Sequence, residues 1–337
     1  PTRRSSDLVQ RHDMLRVVIQ ADGMQKILPF TAPYVFRVYD LRNGEEAGKT
    51  MAEVRRNMSS QILSADVWPL FDIRAALYCE DGKERMRLFL DFDAMLADAW
   101  SIFLLLEEWR KLYDDPETRL CPLSLSFRDY VLAEKKLEAT ARWRRDFEYW
   151  KQRMESLPPA PELPLARQPS EIAHARTVRL ASSLESAVWT RLQERIRTLG
   201  LSASSVLVSA YAEVIGRWSA SSRFTLNLTL FNRLPLHEQV NDIVGDFSSI
   251  ELLEVDMDAE PLFLGRARRI QSRLWEDMSH RTVSGVRVLR ELASSGRVMR
   301  MPVVFTGAAG FGGAGRDASS FSGLGTLVTS LTQDRKS

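Results

Sequence analysis

Apolar and polar positions along this chain follow two rhythms. The segment Phe224 to Leu230 (FTLNLTL) alternates strictly, with Phe224, Leu226, Leu228 and Leu230 on one side and Thr225, Asn227 and Thr229 on the other, which predicts a β-strand. It suits either an edge strand with one wet face or a strand whose polar face lines an internal channel, and periodicity does not choose. Met86 to Phe92 and Met301 to Thr306 (MPVVFT) read as further strands, the second short and of buried type. Helical spacing runs from Asp98 to Tyr113, with Ile102, Leu105, Leu106, Trp109 and Leu112 on one face. Ser126 and Asp129 fit a capping box opening a long helix that runs to about Ser156. Ser182 and Glu185 make the same box ahead of the stripe Val188, Leu192, Ile196 and Leu199, with Gly200 as its stop. Ser202 to Trp218 reads as one more helix.

Strands alternating with amphipathic helices in both halves imply a mixed α/β (α+β) fold. The clearest break is Ser156 to Ser170 (SLPPAPELPLARQPS), where closely spaced prolines forbid helix and central strand. It reads as an extended connector between domains at 1–155 and 171–337. With 337 residues and 45% hydrophobic content, the chain can fill one large core or two half-size ones. A net charge of +2, with acidic and basic residues interleaved, gives no footprint for nucleic acid. The longest purely apolar run, Ile102 to Leu106, is too short to cross a bilayer, and the first residues lack a signal-type apolar stretch. Cys79 and Cys121 have neither metal-ligand spacing nor a disulfide framework, so buried free thiols in a cytoplasmic protein are expected and no metal site is. The basic residues are mostly arginine, as GC-rich bacterial coding produces.

Chemistry concentrates at Leu88 to Ser101 (LFLDFDAMLADAWS), where an apolar strand runs through a tight loop into a helix and carries Asp93, Asp98 and Ser101. Strand ends that open onto a helix are common places for sites, and a carboxylate there meets free backbone N–H groups. By itself the Asp-x4-Asp-x2-Ser spacing also suits a plain helix cap plus a surface aspartate. The histidines, His12, His174, His237 and His280, are never adjacent and read as surface or satisfied structural residues.

Five blocks in order add a second kind of information. They are RHDML (Arg11 to Leu15), the Asp93–Ser101 stretch, SFRDYVLAEKKLEATARWRRDFEYW (Ser126 to Trp150), FTLNLTLFNRLPLHEQVNDIVGDFSSIELLEVD (Phe224 to Asp256) and MPVVFTG (Met301 to Gly307). Together they resemble the signature blocks of heterocyclization domains, members of the condensation superfamily of nonribosomal peptide synthetases. The resemblance implies two chloramphenicol-acetyltransferase-like subdomains in a V-shaped arrangement with a central channel. It implies an enzyme that joins a carrier-bound acyl donor to carrier-bound Cys, Ser or Thr, then cyclodehydrates the amide to a thiazoline or oxazoline. The partners would be upstream and downstream peptidyl carrier proteins and a neighbouring adenylation domain. Phosphopantetheine would be supplied by the carriers, the domain would bind no cofactor of its own, and a siderophore or similar metabolite would be the product.

The resemblance also assigns residues. Thr306 matches the threonine associated with cyclodehydration, and Asp93 and Asp98 match the two family aspartates, so these three are the catalytic candidates. Asp98 is expected to be mainly architectural, paired across the subdomain interface with Arg233. Asn227 and Asn232 would offer amides to substrate or pantetheine, and Ser101, Asp246 and Ser248 would line the channel or support it. Relatives that only form amides carry His-His-x-x-x-Asp-Gly where this chain has Asp93 to Ser101.

Ser248 and Gly307 depart from the family, which usually has threonine and serine there. The opening family motif is absent before RHDML, PTRRSSDL fits no family pattern, and SLTQ (Ser330 to Gln333) begins a final motif whose acid/base aspartate does not follow. The chain is therefore expected to be cut short at both ends, leaving apolar surface uncovered in its first half and solubility poor. These departures keep open an amide-forming or inactive carrier-binding domain. An acyltransferase using a free CoA ester is disfavoured by the absence of a histidine pair.

Overall fold

The computed structural model describes residues 2–44, 46–172, 178, 180–307, 320–321 and 325–326. The chain folds as two compact units: Pro1–Glu134 with Arg233–Phe247 and Arg316–Ser337, and Lys135–Asn232 with Ser248–Gly315. The proline-rich stretch at 156–170 lies within the second unit, so this division falls elsewhere than the expected connector.

The first unit begins with α1 (Thr2–Arg11), the ribbon β1 (Val17–Ile19) and β2 (Gln25–Ile27), then β3 (Arg37–Asp40) and α2 (Ala47–Ser60). Next come β4 (Phe71–Glu80), β5 (Lys83–Phe92), α3 (Ala99–Asp114) and α4 (Phe127–Leu137). β3, β4 and β5 form a sheet in that order, parallel then antiparallel. β5 is longer than expected because Asp81 and Gly82 take left-handed φ of 51° and 71° in a two-residue hairpin turn, a conformation that suits Asp-Gly. Along α3, Leu105, Leu106, Trp109 and Leu112 are buried as its stripe predicts. Phe30, Val35 and Ile62 stand exposed in this unit.

The expected single helix from Ser126 to Ser156 is two. The Ser126–Asp129 box forms reciprocally, but α4 stops at Leu137. Thr140 Oγ1 donates to the Leu137 carbonyl at 2.6 Å and accepts from Trp143 N at 3.2 Å, ending one helix and capping the next. A threonine that satisfies both backbone groups locally competes with a continuous helix.

The second unit contains α5 (Ala141–Ser156), α6 (Ser186–Thr198), α7 (Ala203–Trp218), β6 (Arg223–Phe231), β7 (Ser248–Asp256), α8 (Phe263–Ser279), α9 (Gly285–Ser294) and β8 (Val304–Thr306). The Ser182–Glu185 box does not form: α6 starts at Ser186, with Glu185 at its N-cap and no side-chain cap bond. Leu184 remains exposed, so an extra turn would bury little to offset the cost of winding it. Gly200, with a left-handed φ of 70° just past the C-cap Leu199, does stop α6.

β6 is the centre of the sheet β7-β6-β8, antiparallel to β7 and parallel to β8, which corrects the edge-strand alternative. Phe224, Leu226 and Leu228 pack with Val208, Ala212 and Ile270, while Leu252 of β7 joins Trp150, Val288 and Leu292 in a second core. The prolines lie against the start of β6: Pro159 O accepts from Thr225 N at 2.8 Å, and Pro158 O accepts from the buried Thr225 hydroxyl at 2.6 Å. Proline lacks an N–H but keeps a full acceptor, so it can complete one flank of a strand. β8 spans only Val304–Thr306 and is half exposed, not the buried strand expected from Met301, because at the sheet margin it has one strand neighbour among the described residues.

Candidate functional site

At the β5–α3 junction, Asp98 caps α3 by accepting from Ser101 N at 2.7 Å. Its Oδ1 also receives Arg233 Nη2 at 3.1 Å, an ion pair between two buried side chains. Ser101 is fully buried and its hydroxyl is saturated: it donates to Gly245 O at 2.9 Å and accepts from Gly245 N and Arg233 Nη2 at 3.1 and 2.8 Å. Asp98 N donates to the same Gly245 carbonyl at 3.0 Å. The other guanidinium nitrogen, Nη1, donates to Val240 O and Ile243 O, and the planar group lies 3.7 Å from the Phe247 ring centroid. Burial lowers the Arg233 pKa from its ordinary value, and Asp98 opposes that shift.

Gly245 permits this closure for a steric reason. A Cβ there would come within 2.2 Å of Phe127 Cδ2, on the ring that packs edge-on against Phe247 at 5.0 Å. Asp98 and Arg233 pair as the resemblance implies, but not across a subdomain interface, because Arg233–Phe247 belongs to the first unit. Asp93 is half-buried and its Oδ1 accepts from Met95 N at 2.9 Å, leaving it the more accessible carboxylate of the two. Asp246 follows Gly245 and is exposed.

In the second unit, parallel pairing sets Thr306 opposite Thr229, and the Thr306 hydroxyl donates to Thr229 Oγ1 at 3.0 Å. Asn227 lies two residues back on the same face of β6. Its Nδ2 donates to Met301 O at 3.4 Å, and its buried Oδ1 has no partner among the described residues. Asn232 is buried and donates to Arg281 O at 3.2 Å. Ser248 opens β7 and is exposed. A Cβ at Gly307 would meet Phe305 Cε1 at 3.1 Å, so a side chain there needs that ring to give slightly.

Several polar groups escaped the sequence reading. His12 Nε2 bonds Glu108 at 2.7 Å, and Arg11 Nε reaches both Glu108 oxygens. Burial alone would raise the Glu108 pKa, but His12 and Arg11 bring it below its ordinary value. Asp146 gathers His280, Thr282 and Arg145 at 3.1, 2.6 and 3.0 Å, with a similar net lowering against burial. Asp277 is fully buried and bonded by Tyr149 and Arg153, while nearby Glu251 is buried with Oε1 unpartnered among the described residues. Burial, then the Asp277 charge, pushes Glu251 well above its ordinary pKa. The blocks at Arg11–Leu15, Ser126–Trp150 and Phe224–Asp256 contain some of these residues, but the pairings are not legible in them, since the partners are far apart in the chain. His174 and Ser330 to Gln333 lie outside the described residues. The free thiols of Cys79 and Cys121 are exposed rather than buried, Cys79 near the end of hairpin strand β4 and Cys121 in the loop before α4. Among the described residues, no group of three or more His, Cys, Asp or Glu side chains could hold a metal.

The sequence model of the condensation domain family matches residues 5–305. The chain belongs to that family. It is 38% identical over 307 residues to pyochelin synthetase PchF of Pseudomonas aeruginosa (strain UCBPP-PA14), covering 90% of this chain and 17% of that protein. It is 37% identical over 313 residues to phenyloxazoline synthase MbtB of Mycobacterium tuberculosis (strain ATCC 25618 / H37Rv), covering 90% and 21% respectively. Among solved structures, the EpoB NRPS cyclization-docking bidomain from Sorangium cellulosum superimposes with a TM-score of 0.81 at 40% identity, covering 92% of this chain and 62% of that one. The mixed α/β fold and the resemblance read from the motifs are thus both borne out. The chain spans about a fifth of the two synthetases.

Proposed function

We propose that this condensation-family chain is the body of a heterocyclization domain in a bacterial nonribosomal peptide synthetase, working in the cytoplasm. The observation that carries the reading is the β5–α3 junction, where Asp93, Asp98 and Ser101 stand and, among the described residues, no histidine is placed. His12 and His280 are engaged by Glu108 and Asp146, so neither is offered as a free base. The names of two relatives, a phenyloxazoline synthase and a cyclization bidomain, point the same way.

In this reading two thioesters arrive on the phosphopantetheine arms of neighbouring carrier proteins. The acceptor amine attacks the donor thioester and releases a thiol, forming an amide. The acceptor's thiol or hydroxyl then adds to the amide carbonyl, and loss of water leaves a thiazoline or oxazoline ring. Holding tethered reactants together supplies proximity, while the departing hydroxide needs a proton. Thr306 contributes its hydroxyl to that dehydration, and Asp93 is the carboxylate available to take protons. Asp98 and Ser101 hold the junction through Arg233. Asn227 presents an amide to the substrate or its arm, with Asn232 and Ser248 as supporting residues in the second unit and Asp246 in the first.

Gly307 favours a second reading, an amide-forming or inactive carrier-binding domain, because it removes a hydroxyl beside Thr306. Mass spectrometry of the tethered product decides between them, using the synthetase module with loaded donor and acceptor carriers. An amide lacking one further water, with that loss abolished in Thr306→Ala, supports heterocyclization. An unaltered amide moves the chain to the second reading, and bound carriers with no product would make it a docking platform.

A further inference from the structure

The strand register that places Thr306 also places a second hydroxyl beside it. We propose that Thr229 is a positioning residue for Thr306, fixing which way its hydroxyl points during loss of water; this rests on the heterocyclization reading. Residues paired across parallel strands share a face, and here Thr229 and Thr306 are paired. The side chain of Thr306 is exposed on a strand at the sheet margin, where packing alone does not choose among its staggered χ1 wells. Rotation about χ1 exchanges the hydroxyl with the methyl group. The 3.0 Å bond to Thr229 Oγ1 selects the rotamer that holds the hydroxyl towards β6.

A hydroxyl has one proton and two acceptor lone pairs, so the pair can reverse its polarity without moving an oxygen. As the exocyclic C–OH bond of the cyclized adduct breaks, the departing hydroxyl takes the Thr306 proton and leaves as water. Thr229 meanwhile turns its own proton to the Thr306 oxygen, which then recovers a proton from the ring N–H as the C=N bond forms. Every proton is accounted for, and no further reactant is required.

The test follows amide formation and water loss separately in the intact synthetase module with loaded carriers, comparing Thr229→Val, Thr229→Ser and Thr306→Val. The hydrogen bond at stake corresponds to roughly a three- to tenfold effect. Thr229→Val should slow water loss by that factor and leave amide formation unchanged, and Thr229→Ser should restore it. If Thr229→Val slows both steps equally, or neither, while Thr306→Val abolishes water loss, the positioning role is wrong and the heterocyclization reading stands. If Thr306→Val leaves water loss intact, the assigned role of Thr306 fails and the inference falls with it.

Discussion

Arg233 and Asp98 stand 135 positions apart in the sequence and 3.1 Å apart in space, with both side chains buried. Removing one member leaves the other as an uncompensated charge, the costly way to break such a pair. Asp98→Ala should lose about 3–5 kcal/mol of stability in urea unfolding as well as activity. Ser101→Ala should lose about 1–3 kcal/mol, because the Gly245 and Arg233 donors then lack their acceptor. An Asp98→Ala variant that kept its unfolding midpoint and lost only turnover would overturn the architectural role of Asp98.

Gly245 should tolerate no side chain. Gly245→Ala drives a methyl group into the Phe127 ring, and overpacking of this kind costs about 1–3 kcal/mol. Combining it with Phe127→Leu should recover part of the loss. Thermal melts of the single and double variants check this, and an additive double variant would show that the clash relaxes elsewhere.

Glu251 sets a pH dependence of definite sign. Its folded-state pKa lies well above its ordinary value of 4.5, through burial first and Asp277 second, with Arg153 acting against both. From about 4.5 upward the folded protein therefore holds a proton that the unfolded chain releases, and stability falls as pH rises towards the folded value. Asp277, also raised by burial, adds in the same direction. Glu251→Gln removes the largest part of this slope, so its advantage over the parent should grow between pH 5 and pH 8. Urea titrations at the two pH values measure the difference, and equal differences would refute the assignment.

Both thiols should react in the native state. Exposed cysteines at Cys79 and Cys121 predict stoichiometric labelling by a maleimide without denaturant. Labelling that waits for unfolding would place them inside instead.

What could be read in advance was whatever depends on near neighbours. The stripe of α3, the Ser126–Asp129 box and the stop at Gly200 are local patterns, and each is present. The Asp-Gly turn at Asp81–Gly82 was also legible and would have extended β5 to Lys83. The break at Thr140 needed a choice between two local bonding patterns that propensity does not make. Arg233 as the partner of Asp98 is an expectation that only the family resemblance supports, since no spacing rule spans such a separation. Gly245 and Glu251 fall within the Phe224–Asp256 block, yet they and Glu108 derive their meaning from residues brought close by the fold, which the one-dimensional pattern does not show.

The prolines beside β6 have a consequence for assembly. A strip built from Pro158, Pro159 and Pro161 has carbonyls to give to its neighbour but almost no amide protons for its outer side. A foreign strand arriving on that flank would find no ladder to extend. The segment whose composition suits an extended connector thus lies as a hem along the start of β6.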